Sequence, residues 1–313
     1  MHTEKISVQT PIQRLGQIEN NNLFVKREDF IPFSFGGNKA RKAILFFEEI
    51  DKGDYDCVVT YGSSSSNHCR VVANMAVARD MQCYIISPEE ASEETYNSKM
   101  MRLFGAEIET VPVNQVRDTI ENKLSALKAQ GKKPYFIAGG GHGNPGTQAY
   151  VDCYAEITAF EAQSGIQFDY IFHATGTGTT QAGLICGKLM AGDSKKIVGI
   201  SIARKKPYGR DVVLASVKEY LEANEHSFSE QAIEEATLFE DAYVGDGYGS
   251  VNAKETIEKM LLQYGIPFDG TYTGKGFNGM LSYLKAQDIQ NKNILFIHTG
   301  GTPLFFDFLN ENA

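Results

Sequence analysis

The stretch Gly36-Gly37-Asn38-Lys39-Ala40-Arg41-Lys42 joins a loop of aromatic residues and glycines to a predicted helix. Asn38 is a favourable N-cap, because its side-chain oxygen can accept a hydrogen bond from an unpaired backbone N–H. Lys39 then falls in the first helical turn, where the helix dipole disfavours a cation. Such a position can lower the pKa of the amine and give a neutral, nucleophilic lysine. A basic helix start can equally bind an anion, and on these residues alone the two interpretations stand level.

The composition predicts a globular protein with two lobes. The chain has 313 residues, of which 42% are hydrophobic, and it contains no long apolar run and no signal peptide, so we expect no membrane association. A net charge of −9 argues against nucleic acid as the main partner. The cysteines are scattered without a C-x-x-C pair, which predicts a reducing, cytoplasmic location and no structural zinc. They are Cys57, Cys69, Cys83, Cys153 and Cys186.

Apolar runs of strand length alternate with helical patterns along the chain. Cys57–Tyr61 is followed by a predicted helix from Asn67 to Arg79, and Tyr170–His173 by one from Thr179 to Met190. Residues 204–240 are predicted to form one or two helices. This alternation predicts an α/β fold of mainly parallel, twisted sheets with helices on both faces. Ligands of such sheets bind at the carboxyl ends of the strands.

A run of four serines follows one predicted strand, in Tyr61-Gly62-Ser63-Ser64-Ser65-Ser66-Asn67-His68. Hydroxyls and free backbone N–H groups at a helix start can hold a carboxylate or another anion. Ser66 or Asn67 can also act as a plain helix cap, and four serines exceed what a cap needs. We therefore favour a binding site here. His68 alone is equally compatible with a packing role.

A second strand end carries glycines and threonines, in His173-Ala174-Thr175-Gly176-Thr177-Gly178-Thr179-Thr180-Gln181-Ala182-Gly183. Glycine lets backbone N–H groups point inward, and threonine adds hydroxyl donors, so the segment predicts a phosphate cup at a positive helix end. It lacks the lysine of a nucleotide-binding P-loop. A turn with excess glycine is the weaker interpretation.

The segment Gly141-His142-Gly143-Asn144-Pro145-Gly146 fits the short dinucleotide pattern G-x-G-x-x-G. Dinucleotide folds carry this pattern in their first strand–helix turn, with an acidic residue about 20 positions further on. Here it follows several strands, and Glu161 falls on a predicted helix. We therefore interpret it as a structural loop that lines the cleft.

Three further loops carry polar groups. Tyr248 and Tyr272 lie in the glycine-rich segments 243–249 and 269–275, where a phenol beside a cation could transfer a proton or could simply fill a turn. Thr299 follows the last predicted strand, in a position to bond a ring nitrogen or to close a turn.

Together these pieces resemble the fold-type II pyridoxal-phosphate enzymes, which are tryptophan synthase β-like. More narrowly, the chain is similar to the D-cysteine desulfhydrase and 1-aminocyclopropane-1-carboxylate (ACC) deaminase family. The matching segments, in the family's order, are Gly36-Gly37-Asn38-Lys39, Ser66-Asn67-His68, Thr175–Gly183, Tyr272-Thr273-Gly274-Lys275 and His298-Thr299-Gly300-Gly301.

The resemblance implies a role for each site residue. Lys39 would bind the cofactor covalently and move the α-proton of the substrate, and Asn67 would bond the cofactor's ring oxygen. Ser66 and His68, beside Asn67, would face the substrate carboxylate. Tyr272, with Tyr248 as a second tyrosine, would act near the leaving group. The remaining cofactor contacts would be Thr175, Gly176, Thr177, Gly178, Thr179 and Thr180 at the phosphate, with Lys42 beside them, and Thr299 at the pyridine nitrogen.

Two positions resemble the desulfhydrase branch, namely His68 and Thr273, where the deaminases typically place Gln and Glu. The implied activity is therefore α,β-elimination from a small amino acid, with D-cysteine giving pyruvate, ammonia and sulfide. Ser64-Ser65, Asp269-Gly270-Thr271 and Asp246 depart from the family pattern beside the cofactor. Three alternatives stay open: ACC ring opening, β-replacement in biosynthesis, and a non-catalytic cofactor-binding protein.

The resemblance also implies a homodimer and an inserted smaller domain. We assign residues 43–153 to the smaller domain, and residues 1–42 and 154–313 to the larger, cofactor-binding domain. No metal is expected in either.

Overall fold

The computed structural model describes residues 8–243, 245 and 253–312. Within these residues the chain forms ten strands and eleven α-helices. The strands are β1 (Ile12–Ile18), β2 (Asn21–Arg27), β3 (Cys57–Tyr61), β4 (Gln82–Pro88), β5 (Glu107–Val111), β6 (Pro134–Ile137), β7 (Tyr170–Thr175), β8 (Lys196–Ser201), β9 (Leu238–Glu240) and β10 (Asn293–His298). The helices are α1 (Asn38–Ile50), α2 (Asn67–Val77), α3 (Tyr96–Leu103), α4 (Val116–Ala129), α5 (Asn144–Ser164), α6 (Thr179–Ala191), α7 (Tyr208–Ala223), α8 (Glu230–Ala236), α9 (Lys254–Tyr264), α10 (Thr273–Ala286) and α11 (Thr302–Asn312).

The larger sheet has six strands in the order β1-β2-β10-β7-β8-β9. Only β1 runs antiparallel to its neighbour, and the other pairs are parallel. Apolar side chains cover both faces of this sheet. Tyr150 and Ile185 belong to the core on the side of α5 and α6, and Phe268 and Met280 to the core on the side of α10. Burial on both faces explains why β7 and β10 are almost continuously apolar.

The smaller sheet has four parallel strands in the order β5-β4-β3-β6. Phe47 of α1, Val72 of α2 and Ile85 of β4 share its main core. All four strands lie between residues 57 and 137, within the range that we assign to the smaller domain. The domain boundaries themselves stay a prediction. The α/β class with mainly parallel sheets is confirmed.

Three local features differ from the sequence prediction. The edge strand β1 is rich in polar residues and β9 has three residues, so neither carries the apolar run that marks a buried strand. The N-cap of α1 is Gly37, at a φ of +90°, and Asn38 is the first helical residue. The prediction of Asn38 as the cap was therefore wrong by one position, because glycine alone tolerates that backbone angle without strain. None of the described helices is long and apolar enough to cross a membrane.

Candidate active site

A cavity of about 400 Å³ lies where the carboxyl ends of strands from both sheets meet. Its walls come from the carboxyl ends of β3, β4, β6, β7, β8 and β10 and the segments that follow them, together with the start of α1 and the turn before α10. Its lining side chains include one lysine and one arginine, Lys39 and Arg204, and within the described residues it includes no aspartate or glutamate. The cavity is therefore built for an anionic ligand.

Lys39, the second residue of α1, lies in this cavity. A Cβ at Gly37 would lie 2.7 Å from the backbone oxygen of Thr299, so glycine at this position allows the helix start to approach the segment after β10. The Lys39 Nζ donates a hydrogen bond to the backbone oxygen of Gly140 at 3.0 Å. Burial, with a smaller contribution from the positive charge of Arg204, lowers the pKa of Lys39 from 10.5 to about 8. The amine is thus neutral in a usable fraction of molecules near neutral pH.

The segment after β7 forms the predicted cradle, with Gly176, Thr177 and Gly178 leading into the start of α6. The Thr175 hydroxyl is buried and has no hydrogen-bond partner among the described residues. The Thr180 hydroxyl accepts a 3.1 Å hydrogen bond from the Asn38 side chain. Backbone N–H groups at the first turn of a helix favour a phosphate, and a buried hydroxyl without a protein partner fits a ligand that can hydrogen-bond to it.

Two predicted phosphate contacts, Thr179 and Lys42, are absent from the residues that line the cavity. The Thr179 hydroxyl bonds the ring of His142 at 3.1 Å. Lys42 is buried, and its amine lies 5.9 Å from the ring centre of Tyr150. Burial lowers the pKa of Lys42 well below its ordinary value. Their roles toward a phosphate stay predictions.

Arg204 was not identified from the sequence. It follows β8, whose carboxyl end lies beside that of β7, and it donates a 3.4 Å hydrogen bond to the backbone oxygen of Thr177. Its guanidinium therefore lies beside the cradle. The sequence pattern that could have identified it is the basic run Arg204-Lys205-Lys206, which follows a predicted strand.

The serine segment after β3 contributes Ser63, Ser65, Ser66 and Asn67 to the cavity wall. Ser66 is the N-cap of α2, and its hydroxyl oxygen accepts a hydrogen bond from the Cys69 backbone N–H at 3.1 Å. The capping function and the predicted site therefore coexist in one residue. The hydroxyl proton of Ser66 stays available to a ligand, because the cap uses only the oxygen.

His68 lines the cavity but is buried, with its Nε2 atom 2.9 Å from the Thr60 hydroxyl. That hydroxyl donates its one proton to the backbone oxygen of Ile137, so Nε2 of His68 must carry the hydrogen. Burial lowers the pKa of His68 well below its ordinary value, and the charges of Lys39 and Lys42 add to the effect. The imidazole is neutral at pH 7. Its predicted contact with a substrate carboxylate stays a prediction.

Tyr272, directly before α10, and Thr299, directly after β10, also line the cavity. The Asp269 carboxylate, which is fully buried, accepts hydrogen bonds from the backbone N–H groups of Thr271, Tyr272 and Thr273 and from the Thr273 hydroxyl. Asp269 thereby fixes the turn from which Tyr272 emerges. Tyr248 and Asp246 lie outside the described residues.

The glycine motif at 141–146 serves the fold. A Cβ at Gly146 would lie 2.1 Å from the backbone oxygen of Gly141, which indicates a tight turn. The cavity wall is formed instead by Gly139 and Gly140, directly before the motif. The prediction that this segment is structural agrees with that geometry, whereas the prediction that it lines the cleft was wrong, because none of its residues lies in the described cavity wall. The contact of Gly140 with Lys39 was not predicted. Every residue has a backbone carbonyl, so the sequence does not show which one accepts a hydrogen bond from Lys39.

The cavity thus combines the partly buried Lys39 amine of lowered pKa, the predicted phosphate cradle with the unpartnered Thr175 hydroxyl, and an amide side chain at Asn67. These residues fit pyridoxal phosphate, whose aldehyde requires an amine and whose phosphate requires a cradle. The site is that of an enzyme with an aldehyde-bearing, phosphorylated cofactor.

Comparison with known proteins agrees with this class. The model of the pyridoxal-phosphate dependent enzyme family matches residues 5–300, and the chain belongs to this family. It is 29% identical to a D-cysteine desulfhydrase of Serratia proteamaculans (strain 568), over 96% of this chain and 93% of that protein. It is 31% identical to a 1-aminocyclopropane-1-carboxylate deaminase of Mesorhizobium japonicum (strain LMG 29417 / CECT 9101 / MAFF 303099), over 94% of this chain and 92% of that protein.

A solved structure described as an ACC deaminase homologue is also similar. It covers 98% of this chain, and this chain covers 94% of it, with a TM-score of 0.87 and 29% identity. The predictions of the family, of its fold, of an enzyme and of pyridoxal phosphate as the cofactor are therefore confirmed.

Proposed function

We propose that the protein is a pyridoxal-phosphate-dependent lyase that removes the β-substituent and the amino group of a small amino acid, with D-cysteine as the favoured substrate. The observation that carries this proposal is the partly buried Lys39 amine, with a pKa of about 8, in one cavity with the cradle at 175–180. Water and D-cysteine would give pyruvate, ammonia and sulfide.

Bound pyridoxal phosphate supplies an aldehyde for the substrate amine and a ring that withdraws electrons from the α-carbon. Lys39 is the base that we assign to the α-proton, because a neutral amine of lowered pKa can accept a proton near neutral pH. The hydrogen bond from Lys39 Nζ to Gly140 holds the amine toward the cavity. The glycine-threonine segment, with Arg204 beside it, would hold the phosphate.

Ser66 and Tyr272 are the hydroxyl groups that we assign to the substrate. The Ser66 proton is available for the substrate carboxylate, because its oxygen serves the cap of α2. Tyr272 would donate a proton to the leaving sulfur, with Tyr248 as a second tyrosine. Asn67 would bond the ring oxygen of the cofactor, and Thr299 would lie at the ring nitrogen.

A product screen tests the proposal. Purified protein is incubated separately with D-cysteine, L-cysteine and ACC, and sulfide, ammonia and keto acids are measured. Release of pyruvate and sulfide in equal amounts from D-cysteine supports the proposal. If neither cysteine gives products and neither exchanges its α-proton in deuterated water, the protein binds the cofactor without catalysis, and the proposal is overturned.

ACC deamination is the second candidate, because a relative of that name is 31% identical to the chain. The reaction takes up water and gives 2-oxobutyrate and ammonia, so the keto acid separates the two candidates. His68 and Thr273 favour the desulfhydrase, since the resemblance associates Gln and Glu at these positions with the deaminases.

We also infer a homodimer and a cytoplasmic location. The homodimer rests on the resemblance to the family, and sedimentation of the purified protein tests it. The cytoplasmic location rests on the five cysteines, all of which are buried free thiols, as expected for a reducing compartment.

The assignment of a smaller domain to residues 43–153 rests on the separate four-stranded sheet within that range.

A further inference from the structure

Arg70 is one of the most completely buried charged side chains of the protein, with 1% of its surface exposed. It lies on α2, three residues after Asn67. Its NH1 group donates to the side-chain oxygen of Asn67 at 2.9 Å and to that of Asn97 at 3.0 Å, and its NH2 group donates to the backbone oxygen of Ser34 at 2.9 Å. All three acceptors are neutral. A buried cation with neutral acceptors is costly for the fold, so its retention calls for a functional reason.

These contacts determine which way the Asn67 amide points. A guanidinium can only donate, so the Asn67 atom facing Arg70 must be the oxygen. Asn97 gives a second hydrogen bond to the same oxygen at 3.0 Å, through its Nδ2 atom. The Asn67 oxygen therefore accepts two hydrogen bonds from Arg70 and Asn97, neither of which lines the cavity. The NH2 group of Asn67 stays available to donate to a ligand in the cavity.

Asn97 is held in turn by the serine segment. It is fully buried at the start of α3, and its Nδ2 atom also donates to the backbone oxygen of Ser65 at 2.8 Å. The Arg70 side chain, the Asn97 side chain and the segment at 63–67 thus form one connected unit. A single rotation of the Asn67 amide would break two hydrogen bonds, one of them from a charged donor.

We infer that Arg70 and Asn97 are positioning residues that lock Asn67 as a hydrogen-bond donor and strengthen that donor toward an anionic ring oxygen of the cofactor. This inference rests on the proposed function, in which Asn67 meets that oxygen. The charge of Arg70 withdraws electron density from the amide oxygen and makes the N–H groups on the far side better donors. Burial lowers the pKa of Arg70 to about 9, so the guanidinium still carries its charge at pH 7.

The test compares two ligands that differ in the ring oxygen alone. The full-length protein is freed of cofactor and titrated with pyridoxal 5′-phosphate and with 3-deoxypyridoxal 5′-phosphate, and the ratio of the two dissociation constants is measured by absorbance. We expect the wild-type protein to prefer the hydroxyl-bearing cofactor by about tenfold or more, as a hydrogen bond to a charged acceptor implies. Arg70→Gln should lose most of this preference, and Arg70→Lys, which keeps the charge, should retain part of it.

The visible absorbance of the cofactor-loaded protein is a second readout, since it responds to the charge on the ring oxygen. Its maximum should shift in Arg70→Gln and much less in Arg70→Lys. Arg79→Gln is the matched control, because Arg79 lies just beyond the same helix and pairs with the exposed Asp51. It should leave both readouts unchanged. If Arg70→Gln does not fold, as judged by circular dichroism, Asn97→Ala provides the same comparison.

The outcomes separate this inference from the proposed function. If Asn67→Ala loses the preference and folded Arg70→Gln or Asn97→Ala keeps it in full, the positioning role is overturned while the function of Asn67 stands. If Asn67→Ala itself keeps the preference, Asn67 does not meet the ring oxygen, and both the role of Asn67 and the present inference fail.

Discussion

The Lys39 ammonium donates a 3.0 Å hydrogen bond to the backbone carbonyl of Gly140, which lies 101 residues further along the chain. This contact joins the first turn of α1 to the segment after β6. A carbonyl acceptor favours the charged form of the amine, whereas burial and the nearby Arg204 charge favour the neutral form. Burial prevails, because the pKa of Lys39 falls to about 8. Much of the chemistry of the site depends on this balance.

Replacement of Lys39 should abolish turnover. In Lys39→Ala the base is missing, and we expect a loss of about 10²–10⁴-fold or more, together with the loss of the visible absorbance of lysine-bound cofactor. Borohydride reduction followed by peptide mapping should label Lys39 in the wild-type protein and no lysine in the variant. Lys52→Ala, at an exposed position just after α1, is the control and should keep both properties. A variant that stays yellow with a reducible lysine adduct would show that another lysine binds the cofactor.

The lowered pKa of Lys39 should also appear in the stability of the cofactor-free protein. Lys39 has a pKa of 10.5 when unfolded and about 8 when folded, so the unfolded chain binds more protons between these values and stability rises with pH across that window. Below pH 8 the buried amine opposes folding in full. We therefore expect Lys39→Met to be more stable than the wild-type protein at pH 7, by up to about 3 kcal/mol.

Urea unfolding of both proteins at several pH values between 7 and 10.5 provides the measurement. The difference in the free energy of unfolding between the two proteins should shrink steadily toward pH 10.5. Groups that titrate in the same way in both proteins do not contribute to this difference. A difference independent of pH would mean that Lys39 keeps an ordinary pKa in the folded chain.

Arg204 should contribute to phosphate binding. The Arg204→Gln protein is expected to bind pyridoxal 5′-phosphate about 10–100-fold more weakly, since it loses a charged donor beside the cradle. Pyridoxal, which lacks the phosphate, should bind both proteins alike. Titration of the cofactor-free proteins with each compound gives the comparison. Equal weakening for both compounds would assign Arg204 to the fold instead, and no weakening of either would show that it does not act on the phosphate.

The resemblance also implies that Lys42 contributes to phosphate binding. The same two titrations of the Lys42→Met protein test this role. Lys42 is buried and is absent from the described cavity lining. If its charge acts on the phosphate through the protein interior, the same selective weakening should follow, at a smaller magnitude than for Arg204→Gln. Removal of a buried charge should at the same time leave the fold intact or more stable.

The fold was largely predictable from the sequence, because burial on both faces of a sheet imposes apolar runs that are visible without a structure. Elements that lack this burial were not predicted. The edge strand β1 carries Arg14 and Gln17, and β9 has three residues, of which only Phe239 is buried in the core. Within the site, Lys39, Asn67 and Gly176 were named from the sequence and do line the cavity, and their binding roles stay predictions. The backbone carbonyl of Gly140 and the arginine at 204 depend on tertiary contacts and were missed.

Asp269 should prove to be the residue that holds Tyr272 in place. Its carboxylate accepts three backbone N–H groups and one hydroxyl, and Asp269→Asn would turn an N–H group toward these donors. We expect the free energy of unfolding to fall by about 1–3 kcal/mol, because a buried donor is left without an acceptor. Turnover should fall further than this loss of stability explains, since the turn that carries Tyr272 is no longer fixed. Thr273→Val is the matched control for stability, because it removes the hydroxyl that donates to the Asp269 carboxylate and accepts from the Asp269 backbone N–H, and it leaves the three backbone N–H contacts of that carboxylate in place. If Asp269→Asn keeps the wild-type kcat at a temperature where it is fully folded, Asp269 serves the fold alone and Tyr272 does not depend on it.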